Sequence, residues 1–270
     1  MKKLFALVLA ALMLFTMAAC GGTADNETTT AAPDDAVAAN SDLAYIKDKG
    51  TLIVGITDYA PMDFKDENGE WTGFDAEFAR AAAAKLGVTA EFIEIDWANK
   101  FFELDAKGID CVWNGMTITD EALANASVTN AYVKNAQVVV MAADKLADYA
   151  TVESLADLVF AAEDGSAGAE ALEANKLEYT AVLTQTDALQ EVKSGAADAC
   201  VIDITMANAM TGEGTSYAAL GYSLELTTEE YGIACRQGSD LTAALNDIMA
   251  ELKADGSLQG LADEYELTLA

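Results

Sequence analysis

From residue 51 onward, short β-branched or apolar runs alternate with helix-type segments, and this alternation leaves few folds open. Residues 51–57 (TLIVGIT) make a run of buried-strand type, and 74–86 an Ala-rich segment of helix length stopped by Gly87. The same logic predicts further strands over 88–95, 109–113, 137–142, 158–162, 179–183, 198–202, 223–226 and 231–236. Helices are predicted over 43–49, 99–107, from Thr119, over 151–156, up to Ala174, and over 186–193, 240–254 and 257–265. Asn68-Gly69, between Phe64 and Trp71, is a hairpin turn signal. Strands alternating with helices predict α/β layers with mostly parallel sheets.

A faint internal echo bears on domain organisation. Residues 102–113 read helix, Lys107-Gly108-Ile109-Asp110, strand; residues 189–202 read helix, Ser194-Gly195-Ala196-Ala197-Asp198, strand. Two lobes, each ending strands at a shared cleft, would explain the echo, because open α/β sheets bind ligands at the carboxyl ends of their strands. Chance likeness between two α/β units would also explain it.

The first twenty residues have a different character. Lys2 and Lys3 precede an uncharged apolar run ending in Met17-Ala18-Ala19-Cys20. A positive start, a short apolar stretch and small residues before a cleavage point make a secretory signal peptide over 1–19. The end of the run resembles a bacterial lipobox, with Met17 where Leu is usual, and this implies lipidation of Cys20. Residues 20–42, rich in Gly, Thr, Ala and Asp, lack apolar periodicity and read as a disordered tether.

Composition excludes several chemistries. A formal charge of −30 opposes nucleic-acid binding, because phosphates would be repelled. The chain has no histidine, which removes Ser-His-Asp and Cys-His catalysis and the usual zinc sites. Cys111, Cys200 and Cys235 match no metal spacing and sit in apolar runs, so buried free thiols are expected. A Cys111–Cys235 disulfide would require their strands to be neighbours.

At Gly73-Phe74-Asp75-Ala76-Glu77-Phe78 the chain resembles the extracellular solute-binding proteins, family 3, of amino-acid ABC transporters. The resemblance continues at Gly115-Met116-Thr117-Ile118-Thr119-Asp120-Glu121, Gly165-Ser166-Ala167-Gly168, 197–203 (ADACVID) and Tyr231-Gly232-Ile233-Ala234, in order over about residues 43–265. It implies a periplasmic-binding-protein-like type II fold: two α/β lobes joined by two hinge strands. Lobe 1 would take 43–134 plus 230–270, and lobe 2 138–225. It further implies an amino acid or related amine as ligand, an ABC permease and, through Cys20, a membrane as partners. Neither a cofactor, a metal, a catalytic residue nor an obligate oligomer is expected; the protein would act as a monomer and not as an enzyme, on the outer face of the cytoplasmic membrane. The alternatives are a tethered ligand sensor and a dehydratase of prephenate-like acids, which shares the fold.

The resemblance also points to site residues. An enclosed ammonium needs acceptors and a carboxylate, and Gly115, Met116, Thr117 and Asp203 match the positions that supply them. Read alone, Thr117 could simply end a strand and Asp203 could cap the helix at Ile204. Tyr59 and Trp97 match two aromatic walls, with Asp58 beside the first. Ser166 and Gly168 open a helix whose free N–H groups suit an anion. One departure stands out: Ala122 occupies the place of the arginine that grips the ligand carboxylate. Arg80 and Arg236 match no motif position, so either backbone donors with Lys100 or Lys134 hold the carboxylate, or the ligand is not an ordinary amino acid. Glu163, with Asp58 and Asp203, would favour a cationic ligand.

Overall fold

The computed structural model describes residues 41–270, so the signal peptide, Cys20 and most of the tether lie outside the described residues. In chain order the strands are β1 (Thr51–Ile56), β2 (Phe64–Lys65), β3 (Trp71–Thr72), β4 (Thr89–Glu94), β5 (Cys111–Val112), β6 (Ser127–Val128), β7 (Val133–Asn135), β8 (Gln137–Ala142), β9 (Phe160–Glu163), β10 (Tyr179–Val182), β11 (Ala199–Asp203), β12 (Leu220–Glu225), β13 (Glu229–Tyr231) and β14 (Ala234–Cys235). The helices are α1 (Asp42–Lys49), α2 (Phe74–Leu86), α3 (Lys100–Asp105), α4 (Asp120–Asn125), α5 (Ala167–Ala174), α6 (Gln185–Ser194), α7 (Ile204–Met210), α8 (Leu241–Ala254) and α9 (Ser257–Glu264).

Two five-stranded sheets organise these elements, one per lobe. The first has the order β4-β1-β5-β14-β6 and the second β10-β9-β11-β8-β12. Parallel pairs form one side of each, from the edge strands β4 and β10 inward, and antiparallel pairs complete the other, through β14 and β6 in the first and β8 and β12 in the second. The sheets are therefore mixed, a correction to the mostly parallel expectation. A separate antiparallel pair, β7 with β13, joins the lobes.

Burial explains the element choices. Strand β1 turns Leu52, Val54 and Ile56 into the main core and Ile53 into a smaller one on the other face. Helix α2 buries Phe74, Phe78, Ala79, Ala82 and Ala83, one stripe at helical spacing, so its alanines let the backbone lie close to the sheet. Phe78 meets Trp113 edge-on at 4.7 Å between ring centres and Tyr132 at 5.8 Å. A buried ring of this kind contributes roughly 1.5–3 kcal/mol by area alone.

Local differences from expectation have simple causes. The run 231–236 divides at Gly232-Ile233: Tyr231 stays with the hinge pair and Ala234 enters the first sheet. The segment 99–107 helps form a 3-10 turn at Trp97–Asn99 and then the short α3, while 151–156 makes only a 3-10 turn at Val152–Leu155. Cys235 is the cross-strand partner of Cys111, both facing the main core, and both thiols are free and buried, as is Cys200. Among the described residues, no helix is long and apolar enough to cross a membrane.

Candidate functional site

Both sheets bring strand ends to one cleft. From the first lobe come Trp97 and Lys100, around the turn into α3, and the segment after β5 from Asn114 to Thr117. From the second come Glu163 at the end of β9, Asp203 at the end of β11, and Gln185 opening α6. The cavity between them is about 30 Å³, room for about two water molecules at roughly 10–15 Å³ each. The lobes thus stand closed, and an amino acid would need them to part.

Contacts across the cleft hold that closure. The Tyr59 and Thr205 hydroxyls lie 2.5 Å apart, and both bond the Tyr231 hydroxyl. Lys100 Nζ donates to the Gly165 carbonyl at 2.9 Å and sits 4.9 Å from the centre of the Trp97 ring.

Asp203 sits at the centre of this network. Although it precedes α7, its carboxylate makes no capping bond. It instead accepts from Gln137 Nε2 at 2.8 Å, from the Tyr231 hydroxyl at 2.9 Å, and from Asn135 and Gln185. Asn135 Nδ2 and Gln137 Nε2 also reach Glu229 Oε1, at 2.7 and 2.8 Å. Asp203 is therefore tied to both hinge strands. Burial pushes its carboxyl up to about 7, Glu229 adds to this, and the donors oppose it.

The first-lobe wall depends on a glycine and an aspartate. Gly115 has φ +55°, and a Cβ there would lie 2.5 Å from the Tyr59 ring. Its N–H donates to Asp75 Oδ2 at 2.6 Å, and the same oxygen accepts from the Tyr132 hydroxyl at 2.8 Å. Thr117 Oγ1 donates to Glu229 at 2.7 Å.

Of the residues singled out in the sequence, Tyr59, Trp97, Gly115, Met116, Thr117, Ser166 and Asp203 line this cavity. Asp58 and Gly168 do not. Asp58 sits at a bend just before Tyr59, with an exposed side chain outside the cavity, near Glu94 and Lys65. Gly168 is buried where α5 crosses β11: a Cβ would meet the Val201 carbonyl at 2.9 Å. Its absent side chain serves helix–sheet contact. Ser166 accepts from the Ala169 N–H and so caps α5. Lys134 lines a different groove behind the hinge. Arg236 is committed to Asp42, Asp110 and the Ile109 carbonyl, and Arg80 to the Trp71 carbonyl. Ala122 lines the cavity. Gln185, Glu121 and Glu170 also line it without having been singled out; for Gln185, its position just beyond β10 was the available signal.

A family model, bacterial extracellular solute-binding proteins, family 3, matches residues 52–268. The chain belongs to this family. Among its relatives is the L-cystine-binding protein TcyJ of Escherichia coli, 30% identical over 231 residues, covering 83% of this chain and 85% of the relative. The arginine-binding extracellular protein ArtP of Bacillus subtilis is 28% identical, with 98% of each chain covered. Among solved structures, an ancestral amino acid-binding protein described as a precursor of cyclohexadienyl dehydratase superposes with a TM-score of 0.77 at 32% identity, over 83% of this chain and 99% of its own. The type II fold of two lobes joined at a paired hinge is that of the family.

Proposed function

We propose that this protein is the substrate-binding lipoprotein of an ABC transporter: it takes up an amino acid or related amine between its lobes and delivers it to a membrane permease. The observation that carries this reading is the Asp203 carboxylate, which leaves its helix uncapped and faces the cleft opposite Gly115, Met116 and Thr117. An ammonium placed there meets a carboxylate and nearby acceptors at once. Tyr59 and Trp97 supply rigid walls. The names of TcyJ and ArtP, a cystine and an arginine binder, support an amino-acid ligand. Lobe 1 is taken as 43–134 plus 230–270 and lobe 2 as 138–225, hinged at β7 and β13. The run before Met17-Ala18-Ala19-Cys20 supports export, cleavage and a lipid anchor on Cys20.

The likeness to a dehydratase precursor favours a second reading, an enzyme on the same scaffold. Lys100 is the lone basic residue in a cavity wall that also holds Glu121, Glu163, Glu170 and Asp203, an unfavourable setting for a dianionic substrate. Binding without turnover fits it better.

A thermal-shift screen of the full chain against amino acids and common amines tests the proposal, since a ligand in large excess over its Kd raises the midpoint by mass action. Asp203→Ala and Trp97→Ala should each abolish the shift. Retained binding in both would overturn the site.

A further inference from the structure

We propose that Glu163 is a specificity residue, seating a second positive charge so that the cleft selects amino acids with a cationic side chain. The inference rests on the reading of the cleft as an amino-acid or amine site and names its substrate class. Glu163 ends β9, which runs parallel to β11 as its direct neighbour, and Asp203 ends β11. The strands pair at Phe160 with Ala199 and at Ala161 with Cys200, about 5 Å apart there, and both carboxyl residues beyond these pairs line the same cavity. Asp203 Oδ1 takes three donors and its Oδ2 one, from Gln185, which leaves Oδ2 room for a ligand's ammonium; Glu163 Oε1 takes none. Glu163 is 3% exposed, and its Oε1 has no hydrogen-bond partner among the described residues.

An unpaired buried carboxyl is costly, and native structures keep one for a reason. The nearest candidate cation, Lys100, does not neutralise it: Lys100 Nζ bonds the Gly165 carbonyl and forms no ion pair with Glu163. Burial pushes Glu163 up to about 8; Asp203, Asp187 and Asp96 push the same way and Lys100 opposes. The group thus waits for a cation. A guanidinium or ammonium on the ligand side chain would supply both the charge and the missing donor. A neutral side chain would leave Oε1 unsatisfied and be rejected.

The test is calorimetric titration of the full chain with two isosteric pairs, L-lysine against L-norleucine and L-arginine against L-citrulline. Wild type should prefer the charged member of at least one pair by tenfold or more. Glu163→Gln should reduce that preference to less than about threefold, with the neutral member bound at least as tightly as by wild type. The ligand-free Glu163→Gln midpoint, at or above wild type, shows that the variant folds. Equal or reversed preference in wild type, or a preference unchanged in Glu163→Gln, would overturn the inference and leave the amino-acid site standing. If no amino acid or amine binds wild type, the underlying reading falls and this one with it.

Discussion

Asp75 holds the first-lobe wall of the cleft from behind, and its removal should be expensive in a way that its amide is not. Its Oδ2 takes two bonds, from the Gly115 N–H and the Tyr132 hydroxyl, and the side chain is fully buried. In Asp75→Ala both donors lose their acceptor in a site that water does not reach. An orphaned buried donor costs about 1–3 kcal/mol, so the pair should cost about 2–6 kcal/mol. One term opposes this: Asp63 is also buried nearby, and Asp75 raises its carboxyl further, so truncation relieves some repulsion. The net loss should therefore lie below the top of that range. In Asp75→Asn the amide oxygen, placed where Oδ2 lies, still accepts from both the Gly115 N–H and the Tyr132 hydroxyl. That change should cost about 1 kcal/mol or less. Urea denaturation followed by tryptophan fluorescence reads both, with equal slopes required for the comparison. For a chain of this size, each kcal/mol moves Tm by roughly 2–4 °C. Equal stability of the Ala and Asn variants would refute the claim that the acceptor is what matters.

Three further outcomes are expected. Asp75 and Asp203 are pushed up to about 7 and Glu163 to about 8, so the folded chain binds protons that the unfolded chain has released. Ligand-free stability should then be highest near pH 4 and fall as pH rises through 7 to 8, measured by thermal midpoint; a rise across that window would contradict these environments. Phe78→Ala empties a ring from between Trp113 and Tyr132 and should cost about 3–5 kcal/mol in the same urea assay. Cys111, Cys200 and Cys235 should be unreactive to an aromatic disulfide reagent until denaturant is added, because burial holds all three thiols protonated; rapid labelling of the native chain would disprove it.

Much of this architecture could be read in the residues, for reasons that the structure makes physical. The acid in Gly73-Phe74-Asp75 has a use because Gly115 needs an acceptor, and the glycine before it because the chain turns at φ +113°. Long elements such as α2 and β1 carry enough periodicity to be visible. The hinge strands β7 and β13 are three residues each and carry none, so only a resemblance could place one near them. The site escapes local reading for a similar reason. Tyr59 meets Thr205 across 146 positions, and Asn135 meets Asp203 across 68. Asp58 shows the limit directly: one residue from Tyr59, which is buried in the cavity wall, it is exposed outside it. The unpaired oxygen of Glu163 follows only from three-dimensional packing.

Asp203 draws its donors from Asn135 on one hinge strand and Tyr231 on the other, while Asn135 also holds Glu229. The atoms that would weigh a ligand's charge are thus the atoms that set the hinge. A mutation improving affinity at Asp203 would also change how readily the lobes swing, and hence how fast cargo is handed on. Selection acting here could not adjust grip and release separately. Diversification of ligand preference has an easier route through the rest of the cavity wall, at positions such as Ala122 and Glu163, where a change leaves the hinge bonds intact.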